Sequence, residues 1–219
     1  MKFLYLASGN AGKLREFREG ARPFGIMVEM LPGIREIAAC IEDGSTFEAN
    51  ARKKAAYYSR SIGELVFADD SGLCVDALSG SPGVYSARYA GENATDEENN
   101  QKLLDELAQV RSPKWSAGAG SAAPGRAVSE AMNPVAHYVC AIALAEMGRV
   151  LAAFEGRVNG IIHENARGKG GFGYDPFFYA PQLSRTFAEL EAKEKFAVSH
   201  RGIAFRKMVD YLYETGRLG

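Results

Sequence analysis

Ser8-Gly9-Asn10-Ala11-Gly12-Lys13 directly follows an apolar run, Phe3-Leu4-Tyr5-Leu6-Ala7, and directly precedes Leu14-Arg15-Glu16-Phe17, which reads as the start of a helix. A buried strand that stops at small polar residues and feeds a helix aims backbone N–H groups outward, and such a junction binds anions. Lys13 places a cation in the first turn, where the helix dipole favours an acid, so it fits an expected phosphate. The segment does not match the G-x-x-x-x-G-K-[ST] phosphate loop, and taken alone it reads equally well as a plain turn.

A second candidate is Asp69-Asp70-Ser71-Gly72, placed where the buried run Leu65-Val66-Phe67-Ala68 is expected to end. Two adjacent carboxylates repel unless a cation relieves them. Successive residues of a strand point to opposite sides, so one acid can face a cleft while the other braces a loop. A carboxylate beside a phosphate site is a usual Mg2+ ligand, whereas D-S-G by itself is also good turn sequence. Glu42-Asp43-Gly44 offers a second metal ligand or a solvated acidic turn. Glu48 could ligate too, but a helix-capping role already accounts for it.

Two further segments carry aromatic and basic groups. Gly168-Lys169-Gly170-Gly171 runs into Phe172-Gly173-Tyr174-Asp175-Pro176. A small-residue loop that exposes Phe172 and Tyr174 calls for a partner, and a stacked nucleobase is one. The alternative is that at least one ring tucks into the core. Ser199-His200-Arg201-Gly202 opens the last helix with cationic groups set against its dipole. An arginine there can present its planar fork to a carbonyl or phosphate oxygen. Lys195, His200 and Arg201 together read as a site, and Lys193 as a solvated charge.

The surrounding elements alternate. Strands are expected at Met1–Ala7, Gly25–Leu31, Leu65–Ala68, His137–Glu146, Val150–Val158 and Phe177–Tyr179, with a hairpin at Met147-Gly148-Arg149. The first helix covers Ala11–Gly20. Capping boxes at Ser45-Thr46-Phe47-Glu48 and Thr95-Asp96-Glu97-Glu98 open helices through about Arg60 and Val110. Phe47, Ala51, Ala55 and Tyr58 form the buried face of the first of these, with Arg52, Lys53 and Lys54 off it. Leu103, Leu104 and Leu107 turn inward on the second. Phe205, Met208, Val209 and Leu212 stripe the last helix, which Gly216 ends. This order predicts an α/β fold: a mixed central β-sheet flanked by helices, in two lobes with the site in the cleft between them. Residues 1–219 read as one domain, with a flexible small-residue insertion over 111–134.

Composition narrows the class. The 219 residues are 47% hydrophobic with a formal net charge of −1, which supports a globular core and no bulk affinity for nucleic acid or acidic membranes. Cys40, Cys74 and Cys140 are odd in number and lack C-x-x-C spacing, so neither zinc nor disulfides are expected. No apolar run approaches the ~20 residues that span a bilayer, and the chain opens on a strand with no signal peptide. A soluble, cytoplasmic protein is expected.

The chain resembles the inosine triphosphatase family, the noncanonical purine nucleoside triphosphate pyrophosphatases. The resemblance rests on Ser8–Lys13, Phe67-Ala68-Asp69-Asp70-Ser71-Gly72-Leu73, Gly80-Ser81-Pro82-Gly83-Val84-Tyr85-Ser86-Ala87-Arg88-Tyr89, Phe172–Pro176 and Ser199–Gly202, in family order over nearly the whole chain. The 111–134 segment is the departure, and it lies away from all five. The resemblance implies hydrolysis between the α- and β-phosphates of ITP, dITP and XTP, yielding a monophosphate and pyrophosphate, with Mg2+ as cofactor and a homodimer as assembly. It implies Asp70 as general base and metal ligand. Glu42, or a neighbour one register away, is the second ligand. Ser8, Gly9, Asn10, Ala11, Gly12, Lys13 and Ser71 would hold substrate, with Phe172, Gly173, Tyr174 and Asp175 around the base. Arg201, His200 and Lys195 supply donors to a 6-keto oxygen, which adenine lacks. How guanine, also a 6-keto purine, is excluded does not show in the sequence.

Overall fold

The computed structural model describes residues 2–111 and 133–217; the expected insertion, apart from its ends, lies outside the described residues. In chain order the elements are β1 (Lys2–Leu6), α1 (Ala11–Ala21), β2 (Ile26–Met30), α2 (Phe47–Tyr58), β3 (Val66–Val75), α3 (Asp96–Arg111), β4 (Val135–Glu146), β5 (Arg149–Ile162), β6 (Phe178–Ala180), β7 (Arg185–Thr186), α4 (Ala192–Val198) and α5 (His200–Glu214). The strands form one seven-stranded sheet in the order β2-β1-β3-β4-β5-β6-β7. β2, β1 and β3 are parallel and the remaining pairs antiparallel, so the sheet is mixed as predicted.

Side-chain alternation along β1 decides which helix covers which face. Leu4 and Leu6 pack with Phe17 of α1 and with Phe205, Met208, Val209 and Leu212, the predicted stripe of α5. Ala7 turns the other way, with Ala51, Ala55 and Tyr58 of α2. Helices α1 and α2 therefore lie on opposite faces. A second core gathers Leu73, Leu103, Leu107, Tyr138, Phe178 and Phe187 under α3. The β4–β5 hairpin closes where predicted, with Glu146 opposite Arg149 and both Met147 and Gly148 at positive φ, the geometry that matches strand twist. Among the described residues, no helix is long and apolar enough to cross a membrane.

Three expectations need correction. β3 does not end at Asp69-Asp70. It runs on to Val75 because β4 offers a ladder partner at every step, with Asp69 opposite Ile142 and Asp70 opposite Ala141. The first expected capping box shifts by one residue. Thr46, not Ser45, caps α2 by accepting from Ala49 N at 3.1 Å, and Glu48 instead pairs with Arg52. The second box forms as predicted, Thr95 and Glu98 each accepting from the other's backbone N–H. Short α4 was not foreseen; Glu191 and Glu194 cap it reciprocally.

Candidate active site

The strand that stops at the site is β1. It pairs with β3 only at Tyr5 and Leu6, after which Ala7 N donates to Phe67 O at 2.8 Å. Past that point the β3 edge carrying Asp69, Asp70 and Ser71 has no strand beside it among the described residues. Because α1 and α2 leave on opposite faces, this is the crevice at a topological switch point where α/β sheets bind ligands. A cleft of about 370 Å3 opens there.

At its entrance, Asn10 caps α1 by accepting from Lys13 N at 3.0 Å, and Ser8 Oγ accepts from Asn10 N at 3.2 Å. Ser8, Asn10 and Lys13 line the cleft. Gly9, Ala11 and Gly12 do not. Gly9 borders a neighbouring groove beside Ile34–Ala39, and Ala11 is exposed. Gly12 lies under the Phe172 ring, and a Cβ there would sit 3.0 Å from Phe172 Cδ1. Lys13 Nζ reaches Asp69 at 2.9 Å.

The adjacent acids are separated electrostatically. Asp69 is fully buried, with Lys13 and Arg201 beside it and Ser71 Oγ at 3.3 Å. Burial pushes its carboxyl up, but Lys13, Arg201 and Lys54 together outweigh that and hold it at about 2. Asp70 lines the cleft, accepts from Asn50 Nδ2 at 3.0 Å and lies 3.7 Å from Lys54 Nζ. Here burial wins: it raises the carboxyl against the pull of Lys54, Lys13 and Asn50. The two neighbouring carboxyls are thus held on opposite sides of their ordinary value, the pattern that lets paired acids take different roles. Glu42 lines the cleft and holds Lys54 at 2.8 Å, so the ammonium lies between the two predicted metal ligands.

At the other end, Phe172 and the buried Lys195, His200 and Arg201 gather. Glu16 on α1 accepts from both Lys195 and Arg201. Asp175 accepts from Lys195 at 2.5 Å and from Phe172 N at 2.9 Å. Arg201 also donates to Ser71 Oγ at 2.8 Å and Asp69 at 3.5 Å. The Lys195 ammonium and the Arg201 guanidinium lie 4.9 and 5.4 Å from the centre of the Phe172 ring. Of five arginine and three lysine donors, three and two are thus engaged, which leaves N–H groups for a ligand.

His200 departs from the cationic role predicted for it. It is buried, stacked on Tyr138 at 4.6 Å and 8°, and held well below its usual value by burial and by Arg201, Lys195 and Lys13, so the ring is neutral. Its Nδ1 has no partner among the described residues. Of the two rings, Tyr174 is the one that tucks into the core. It borders the cleft, yet its ring is buried in the second core and its hydroxyl donates to Ser86 O at 2.8 Å. Gly173 lies on the cleft wall and donates its N–H to Asp96. Lys193 is exposed, as predicted.

The sequence reading missed Glu16, Asn50 and Lys54. Lys54 was placed off the buried face of α2 but is only 8% exposed. The signal was present: positions 50, 54 and 58 follow the same helical spacing as 47, 51 and 55. Glu16 is three residues after Lys13, on the same side of α1.

Similarity to known proteins agrees with the fold. The Ham1 family model matches residues 4–124 and 114–211. A protein of Geobacter sulfurreducens named dITP/XTP pyrophosphatase is 43% identical over 215 residues, 97% of each chain. One of the same name from Desulforamulus reducens is 42% identical over 212 residues, 95% of this chain and 94% of that one. The solved structure of a HAM1 protein from Coxiella burnetii superposes with a TM-score of 0.79 at 38% identity, covering 98% of this chain and all of that one. With matched residues running from near the first strand to the last helix, the chain belongs to the Ham1 family.

Proposed function

We propose that this chain hydrolyses noncanonical purine nucleoside triphosphates, ITP, dITP and XTP, to the monophosphate and pyrophosphate, and so clears deaminated purines from the cytoplasmic nucleotide pool. The observation that carries this reading is one cleft with two chemically distinct ends. A proton-accepting carboxylate, Asp70, sits among phosphate-binding groups, and an aromatic face, Phe172, is ringed by spare donors. Curated relatives named dITP/XTP pyrophosphatase support it.

Asp70 accepts the proton of a water attacking the α-phosphorus, and the bond to the β-bridging oxygen breaks as pyrophosphate leaves. Lys13, Ser8 and Asn10 hold the phosphates. Phe172 stacks on the base, while Arg201, Lys195 and the neutral His200 face its 6-keto oxygen. An adenine amino group would leave those buried donors unmatched, a large penalty. Lys13, Lys54, Lys195 and Arg201 each already face a carboxylate, so a polyphosphate needs further positive charge. Among the described residues no cluster of three or more ligands encloses a metal. Asp70 and Glu42 would hold Mg2+, which usually takes one or two carboxylates and completes its shell with phosphate oxygens and water, in place of the Lys54 ammonium that lies between them. Bound there, Mg2+ would screen the phosphates and polarise the scissile group. One domain carries the whole site, and a homodimer is the assembly the resemblance favours.

A panel of ITP, dITP, XTP, GTP, ATP and pyrimidine triphosphates with Mg2+, read by pyrophosphate release, tests the reading. Pyrophosphate from ITP, dITP and XTP with little from ATP is expected. Orthophosphate release, binding without turnover, or preference for a pyrimidine would overturn it.

A further inference from the structure

A fifth cation on the cleft, Arg88, is unlike the other four. Lys13, Lys195 and Arg201 face carboxylates that are at most 8% exposed, and Lys54 faces Glu42 and Asp70. The carboxylate nearest Arg88 among the described residues is Glu92, 3.7 Å away and 85% exposed. A water-screened pair of that kind holds little. The guanidinium is itself three-quarters buried, lies 5.3 Å from the centre of the Tyr85 ring, and makes one long 3.4 Å bond to Glu42 O. A planar fork that is oriented by stacking, while most of its donors remain free, is suited to phosphate oxygens.

Its location selects which phosphates. Arg88 ends a 3-10 segment, Gly83–Arg88, that is pinned to β3: Leu73 N donates to Ser86 Oγ at 2.9 Å, and Ser86 Oγ donates to Gly83 O at 2.6 Å. Through Glu42, Arg88 stands with Lys54 and Asp70 at the acidic end of the cleft. We propose that Arg88 is a further substrate-binding residue that grips the β- and γ-phosphates, the part that leaves as pyrophosphate. This rests on the function proposed above. In that step the water oxygen bonds to the α-phosphorus and the bridging electron pair departs with pyrophosphate. Arg88 meets the added charge without giving up a proton.

The test is Mg2+-pyrophosphate binding by calorimetry, with inhibition of ITP hydrolysis by pyrophosphate and by IMP, in wild type, Arg88→Gln, Arg88→Lys and Glu92→Gln. Arg88→Gln should weaken pyrophosphate by about tenfold or more, the scale of a lost hydrogen bond to a charged group, and leave IMP little changed. Arg88→Lys should recover part of the loss. Glu92→Gln should behave as wild type, and melting temperatures should stay close. Unchanged pyrophosphate affinity in Arg88→Gln, equal weakening of IMP, or no pyrophosphate binding by wild type would overturn the proposal. The calorimetric arm needs no nucleotide, so wild-type enzyme that binds pyrophosphate but spares ITP would count against the proposed function alone.

Discussion

Asp69 and Asp70 are consecutive residues of β3 that face opposite sides of the sheet, Asp69 toward α1 and α5 and Asp70 toward α2. That alternation lets two carboxylates sit one peptide apart in a buried strand. Their direct contacts differ, Lys13 and Arg201 for Asp69 and Lys54 for Asp70, while Lys13 and Lys54 act on both, and the balance of burial and charge lowers the first carboxyl and raises the second.

Asp70→Asn should lower kcat by about a hundredfold or more, the scale of a lost general base, with the fold intact. Burial already disfavours the ionised form of Asp70, so removing its charge should not cost stability. Asp69→Asn should act mainly on stability, by roughly 3 kcal/mol, because Lys13 and Arg201 lose a dry counter-ion. Steady-state kinetics and urea melts of both variants check the split.

Base reading should separate from base stacking. Arg201→Ala should shrink the ITP/ATP ratio of kcat/KM, and Glu16→Gln should do so too, because Glu16 orients Arg201 and Lys195. Phe172→Ala should weaken both substrates together by ~1–3 kcal/mol, since stacking ignores the base edge. Both rates falling at constant ratio in Arg201→Ala would move that residue to the phosphates.

Gly12→Ala sets helix stability against ligand fit. Alanine is better than glycine inside a helix by about 1 kcal/mol. The added Cβ, however, meets Phe172 Cδ1 at 3.0 Å. The expected result is an unchanged or higher Tm with a raised KM for ITP. A raised Tm with unchanged KM would show that the ring gives way freely.

His200 makes folding acid-sensitive. Its value in the fold lies well below 6.5, so the native ring stays neutral while the unfolded chain takes up a proton. Its contribution is complete above about 6.5 and is lost as pH falls toward the folded value, at up to ~1.4 kcal/mol per pH unit. His200→Phe, which keeps a ring against Tyr138, should lose less stability between neutral and mildly acid pH. His137 and His163 are lowered too, but they remain in both proteins and cancel.

Local signals carried much of this structure. The β1–α1 junction, the hairpin at Met147-Gly148, the Thr95 cap and the α5 stripe each follow from spacing over a few residues. What was misread depends on distant partners. β3 passes through two acids because β4 completes its ladder and Lys13, Lys54 and Arg201 offset the charge. Glu16 sits in a charged run and looks solvated until Lys195 and Arg201, some 180 residues on, fold against it. His200 looks cationic until burial against Tyr138 makes it neutral.

The same pairing across 185 residues, Arg201 to Glu16, ties the first helix to the last. A chain emerging from the ribosome has Glu16 and Asp69 in hand long before α5 appears. Until α4 and α5 arrive, those carboxylates lack Lys195 and Arg201 and cannot be buried cheaply. The cleft therefore completes late, when α4 and α5 pack against α1. A fragment that stops short of α5 lacks His200 and Arg201, and with them part of the donor-rich end of the cleft.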